Sequence, residues 1–97
     1  MVSFSVAALD DLDDIYDFHF ARNPRYAEKL STRLRDAARS LSDFPERGAS
    51  IPDATSPLRW VLESGHAILY ETSESGVTIA RIFHGSRDIA AIVADMA

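Results

Sequence analysis

Ninety-seven residues, 46% hydrophobic and 26% charged, have the size and composition of one globular domain spanning 1–97. The chain has no cysteine, which excludes disulfides, thiolate metal sites and cysteine nucleophiles. No apolar run approaches the ~18 residues that span a bilayer, and no basic region followed by an apolar one opens the chain, so no membrane contact and a cytoplasmic location are expected. The net charge of −5 argues against a protein whose main task is holding a polyanion.

That charge is unevenly placed. Residues 1–21 carry five Asp and no base, whereas residues 22–39 carry Arg22, Arg25, Lys29, Arg33, Arg35 and Arg39 against Glu28 and Asp36. Val2-Ser3-Phe4 is short and β-prone, and Ser5 is a good N-cap for a following helix, with Asp10 and Asp11 near its positive end. Leu12, Ile15, Tyr16 and His19 share one helical face; Asp10, Asp13, Asp14 and Asp17 fall mostly elsewhere and read as a solvated face. Asn23-Pro24 restarts a helix, Asn as cap and Pro at the first helical position. Ala27, Leu30, Leu34, Ala37, Ala38, Leu41 and Phe44 then form one apolar stripe, and Pro45 is expected to stop the helix. The short connection forces the two helices into an antiparallel hairpin.

Residues 45–57 hold three of the four prolines and predict an irregular crossing loop. Leu58, Trp60 and Leu62 alternate with Arg59, Val61 and Glu63. Ser64-Gly65 makes a tight turn into a strand over 66–72, and residues 73–76 make a longer turn into a strand over 77–83. Short connections make these strands an antiparallel meander. Residues 88–96 form a helix too short to stand alone, which must dock on the sheet. The architecture is α+β, a helical hairpin packed across one face of a small antiparallel sheet.

No glycine-rich phosphate loop, HExxH or serine elbow is present. The three histidines are scattered, and His84 with Asp88 alone does not make a metal site, so no metal or cofactor is expected. Several residues have a structural reading. Arg59 and Arg81 can pair with Glu63, Glu71 or Asp88, and Trp60 can pack on the sheet. Gly85 can permit a left-handed turn, and Ser86 or Asp88 can cap the last helix.

The order and spacing of several segments nevertheless resemble the ParE/RelE superfamily of bacterial toxins from type II toxin–antitoxin pairs. The resemblance rests on Ser5, Ala7-Ala8, Asp11-Leu12 and Ile15; on Asn23-Pro24, Ala27 and residues 41–48 (LSDFPERG); and on Leu58-Arg59, Ile68-Leu69-Tyr70 and residues 77–88 (VTIARIFHGSRD). It implies that Val2-Ser3-Phe4 is the first strand of the sheet. It also implies one of two chemistries, inhibition of DNA gyrase or ribosome-dependent cleavage of mRNA. Metal-free RNA cleavage needs side chains that activate a 2′-hydroxyl, stabilise a phosphorane and protonate the leaving oxygen. In the nuclease branch an arginine occupies the position of Ala67, lysines sit on the strand that here carries Arg59, Trp60, Leu62 and Glu63, and some members use an aromatic near the carboxyl end, where this chain has Ile89 and Ile92.

The resemblance therefore favours the ParE branch: a gyrase-inhibiting binding protein, without catalytic residues or cofactor, neutralised by a cognate antitoxin. Such antitoxins generally carry a ribbon-helix-helix part of the ParD type, to which any DNA contact belongs. The expected target-facing residues are Arg59, Arg81, His84 and Arg87. The expected antitoxin-facing residues are Arg22, Arg25, Arg33 and Arg35, beside an acidic first helix of opposite sign suited to steering a charged tail. The alternatives are a RelE-like mRNA endonuclease using Arg59, Arg81, His84 and Arg87, and a member of the fold that has lost toxicity.

Overall fold

The computed structural model describes residues 1–51 and 57–96. The chain opens with β1 (Val2–Phe4), and Ser5 starts α1 (Val6–Phe20) by accepting the Ala8 N–H on its Oγ at 3.0 Å. The same hydroxyl donates to the Ala80 carbonyl at 2.8 Å, bonding the helix start to a residue 75 positions away. Residues 21–23 reverse the chain into α2 (Pro24–Ser40), which Asn23 caps by accepting the Tyr26 N–H at 3.1 Å. Ala8 and Leu12 of α1 and Ala27, Leu30, Leu34 and Ala38 of α2 are buried.

Pro45 does not end this helix. The α geometry stops at Ser40, and the Leu41, Ser42 and Asp43 N–H groups reach back only three residues, to Ala38, Arg39 and Ser40. This tighter winding rotates the following residue off the 3.6-residue stripe. Phe44, expected among the core residues, is instead 68% exposed.

After β2 (Ala49–Ser50) come β3 (Arg59–Glu63), β4 (His66–Ser73), β5 (Gly76–His84) and α3 (Ile89–Asp95). The sheet order is β1-β5-β4-β3-β2. The expected meander is present as β3-β4-β5, but the sheet as a whole is mixed, because β1 runs parallel to β5. The loop expected over 45–57 contains β2, which pairs with Arg59 and Trp60 and is too short to show a periodicity; its part over 52–56 lies outside the described residues. Ser64 and Gly65 both take positive φ, 50° and 77°, matching the tight turn expected there. The next connection is shorter than expected: Ser73 pairs with Gly76, leaving a two-residue link.

The hairpin covers one face of the sheet, over Ile68, Tyr70, Val77, Ile79 and Ile82. The other face gathers Ile51, Leu58, Ala67, Leu69, Phe83 and Val93, with Trp60, Ile89 and Ile92 packed against them, so α3 docks on the sheet as its length requires. Ile79 and Ile82 stand three apart yet face the same cluster, which strict alternation forbids. A register shift reconciles them: Leu69 pairs with Arg81 and Tyr70 with Ile79, leaving Ala80 as the extra residue of a bulge.

Candidate functional surfaces

The bulge sets up the best-bonded charged group of the described residues. β1 ends opposite Ile79, so the outer edge of β5 beyond that point has no strand beside it. Asp11 of α1 takes the vacant place. Its Oδ2 accepts the Ile82 N–H at 2.9 Å and the Arg81 Nε–H at 2.8 Å, while Oδ1 accepts the Arg81 Nη2–H at 3.0 Å. The Arg81 side chain is 33% exposed and that of Asp11 14%. Donation to the Asp11 carboxylate raises the Arg81 pKa, and the paired guanidinium keeps its charge. The pairing expected with Glu63, Glu71 or Asp88 is replaced by this one, because α1 rather than a neighbouring strand flanks the bulge.

Arg59 is also held internally. Its Nη1 donates to the Gly48 carbonyl at 2.8 Å and to that of Glu46 at 3.5 Å. The same loop is pinned from below by Tyr70, whose buried hydroxyl donates to Pro45 O and accepts the Gly48 N–H, both at 2.8 Å. A Cβ on Gly48 would collide with the Tyr70 ring and hydroxyl, so only glycine fits.

His84 and Arg87 lie together, on the turn between β5 and α3. His84 is exposed, and its Nδ1 lies 2.7 Å from Ser86 Oγ and accepts the Ser86 N–H at 3.2 Å. The Arg87 N–H donates to His84 O, and its guanidinium lies 5.9 Å from the centre of the Phe83 ring. Gly85 does not adopt the left-handed conformation expected of it. It is needed for proximity: a Cβ there would lie 2.8 Å from Leu62 Cδ1 and 3.2 Å from Gly65 O. Asp88 caps α3 by accepting the Ala91 N–H at 3.2 Å. Thus one pair of the four expected residues is gathered on a turn, and the other two have partners on α1 and in the 46–48 loop.

Nor are two of the three histidines scattered. The register sets His66 opposite His84, with ring centroids 5.7 Å apart. Only the strand register discloses this, since 18 residues separate His66 from His84. Among the described residues no three His, Asp or Glu side chains are grouped to hold a metal.

On the hairpin, Arg22 folds back over the Phe18 ring at 3.8 Å and donates to Phe18 O at 2.7 Å. Arg25 is exposed, and Arg33 lines an open groove of about 400 Å³ with Glu28, Lys29 and Thr32. Arg35 reaches Ser31 Oγ at 3.4 Å. Beside the basic helix, α1 shows an apolar stripe that the inward-facing residues obscure in the sequence. Val6 (76% exposed), Leu9 (41%) and Phe20 (47%) continue through Tyr16 at spacings of about one and two helical turns. Tyr16 donates to Glu28 at 2.6 Å, and Glu28, Ser31 and Arg35 share one side of α2, so a polar row borders the apolar one.

The sequence model of the ParE toxin of the type II toxin–antitoxin system parDE matches residues 2–89. Toxin RelE2 of Caulobacter vibrioides is 38% identical over 81 residues, covering 82% of this chain and 89% of that protein. Among solved structures, the fold is similar to a chain of the chromosomal ParDE system of P. aeruginosa (TM-score 0.74, 21% identity, 86% and 92% of the two chains). It is also similar to a chain of the RelBE2 toxin–antitoxin complex of Mycobacterium tuberculosis (TM-score 0.63, 22% identity, 87% and 95%). A match over almost the whole length, on a sheet crossed by a helical hairpin, has one reading: this chain belongs to the ParE family of type II toxin–antitoxin toxins.

Proposed function

We propose that this toxin acts by binding, with DNA gyrase as its target, and that a cognate antitoxin neutralises it by lying along the α1–α2 hairpin. The observation that carries the first part is the engagement of Arg81 by Asp11. Metal-free RNA cleavage asks for several unencumbered cationic side chains around one phosphate. Here one candidate is closed in a carboxylate fork and Arg59 is spent on backbone carbonyls. Ala67, at the position of a nuclease arginine, is buried, and Ile89 and Ile92 pack on the sheet where a catalytic aromatic would stand. His84 and Arg87 remain as target contacts, with Arg59 and Arg81 positioning the surface around them.

For the antitoxin, the stripe Val6-Leu9-Tyr16-Phe20, exposed at Val6, Leu9 and Phe20 and lying on the helix beside the arginine-rich α2, suits a segment with apolar anchors and acidic flanks. A ribbon-helix-helix, ParD-like partner would supply this from its tail and keep DNA contact to itself. The rival reading, an mRNA endonuclease, draws its support from the name of the relative RelE2. Purified toxin assayed side by side on gyrase supercoiling and on ribosome-bound mRNA separates the two. Stalled supercoiling with intact message is expected; codon-positioned cuts with gyrase unaffected would install the endonuclease, and neither effect would mark a chain without toxicity.

A further inference from the structure

A buried histidine that plays no part in that reading lies against one that does. His66 opens β4 with only 7% of its surface exposed, and its Nδ1 lies 3.0 Å from the Ser64 carbonyl, which makes that nitrogen the donor in either charge state. Its ring meets that of His84 edge-on, 5.7 Å between centroids. His19, in the last turn of α1, meets Tyr26 of α2 edge-on, 5.1 Å between centroids. β4 and β5 therefore bring two imidazoles together at one end of the sheet.

Neither ion pair of the described residues, Arg39–Asp36 or Arg81–Asp11, involves His66. Glu63, opposite His66 on β3, accepts from Ser64 Oγ at 2.8 Å. Asp11 of α1 is held by Arg81 and the Ile82 N–H, and Asp88 of the following turn caps α3. Arg87, on that turn, adds only positive charge. The end of the sheet also depends on close contacts, the Gly85 N–H donating to Gly65 O at 2.8 Å with Leu62 packed over both.

We propose that the His66–His84 pair is a proton-operated release for this end of the fold, loosening the turn over 84–88 in acid. Protonation of buried His66 places a charge without an ion-pair partner among the described residues beside a second imidazole. Burial, then the charges of His84 and His19, lower the His66 pKa from its usual 6.5, against an opposing contribution from the Ser64 carbonyl. With the folded value below the unfolded one, the unfolded chain binds the proton better. Stability is then complete above the unfolded value and declines as the pH drops through it. Because the turn carries His84 and Arg87, the device acts on the surface assigned above to the target, yet it holds whatever that surface binds.

The test uses the full chain, following the three histidine ring signals and the backbone amide signals of residues 85–88 by NMR between about pH 8 and pH 5. His66 is expected to titrate below 6.5, His84→Gln to raise that midpoint, and the 85–88 amides to move toward disordered positions in step with it. His66→Gln should remove that movement and lessen the acid-induced drop in Tm. Amides 85–88 that stay in place while His66 titrates, or a midpoint unmoved by His84→Gln, would overturn the proposal. The His84→Gln result decides even if His66→Gln does not fold, since His84 is exposed. A gyrase assay at neutral pH is not affected by either outcome, so the target reading stands or falls separately.

Discussion

The Asp11 carboxylate replaces a missing length of strand. Three donors converge on it, and two of them, the Ile82 N–H and Arg81 Nε–H, share one oxygen. Asp11→Ala leaves an edge N–H and a guanidinium without an acceptor, a loss of about 1–3 kcal/mol discounted for the partial exposure of the arginine. For a chain of this size that is a Tm decrease of roughly 5–15 °C, measurable by circular dichroism. Arg81→Lys keeps the charge but should retain little of this stabilisation, because a single ammonium cannot reproduce the fork. The Tyr70 hydroxyl has a comparable role under the 45–48 loop. Tyr70→Phe should cost about 1–3 kcal/mol, read from the urea midpoint at unchanged slope, since it strands the buried Gly48 N–H. Toxicity divides these residues differently. Arg87→Ala is expected to relieve growth inhibition while the purified protein keeps its wild-type Tm; full toxicity would move the target surface elsewhere.

Helices and strands were legible in the chain wherever a periodicity or a cap operates over several residues. Ser5 and Asn23 bond as caps, the α2 stripe from Ala27 to Ala38 is buried, and the meander has its expected order. Features settled by contacts distant in sequence were not legible. Nothing near Arg81 announces the bulge at Ala80 or the carboxylate 70 residues earlier that the bulge exposes it to. His66 and His84 become neighbours only through register, and Phe44 leaves the stripe because the last turn of α2 tightens. On the hairpin, the residues facing the core drew attention from the second, outward stripe of α1. This stripe and the basic face of α2 yield a prediction for the element as a whole. Arg33→Glu with Arg35→Glu should slow association with the antitoxin severalfold at low salt, and the difference should shrink as salt screens it. Leu9→Asp should instead act on dissociation, visible by surface-bound kinetics.

At the scale of the whole molecule, the first strand of the chain lies beside the last. Val2, Ser3 and Phe4 pair with Val77, Thr78 and Ile79, and Ser5 bonds to Ile79 and Ala80. Closing so long a loop must precede the contacts that reward it, which makes this step a slow one in folding. During synthesis the amino-terminal strand therefore waits, unpaired, until β5 has been made. The hairpin can form locally beforehand, but the sheet it covers has no closed edge. A message cut short before β5 consequently yields a chain without the β1–β5 pairing, the Asp11–Arg81 fork or the His84–Arg87 turn. The turn proposed above as the target surface is thus made only after the hairpin and the first strand on which its position depends.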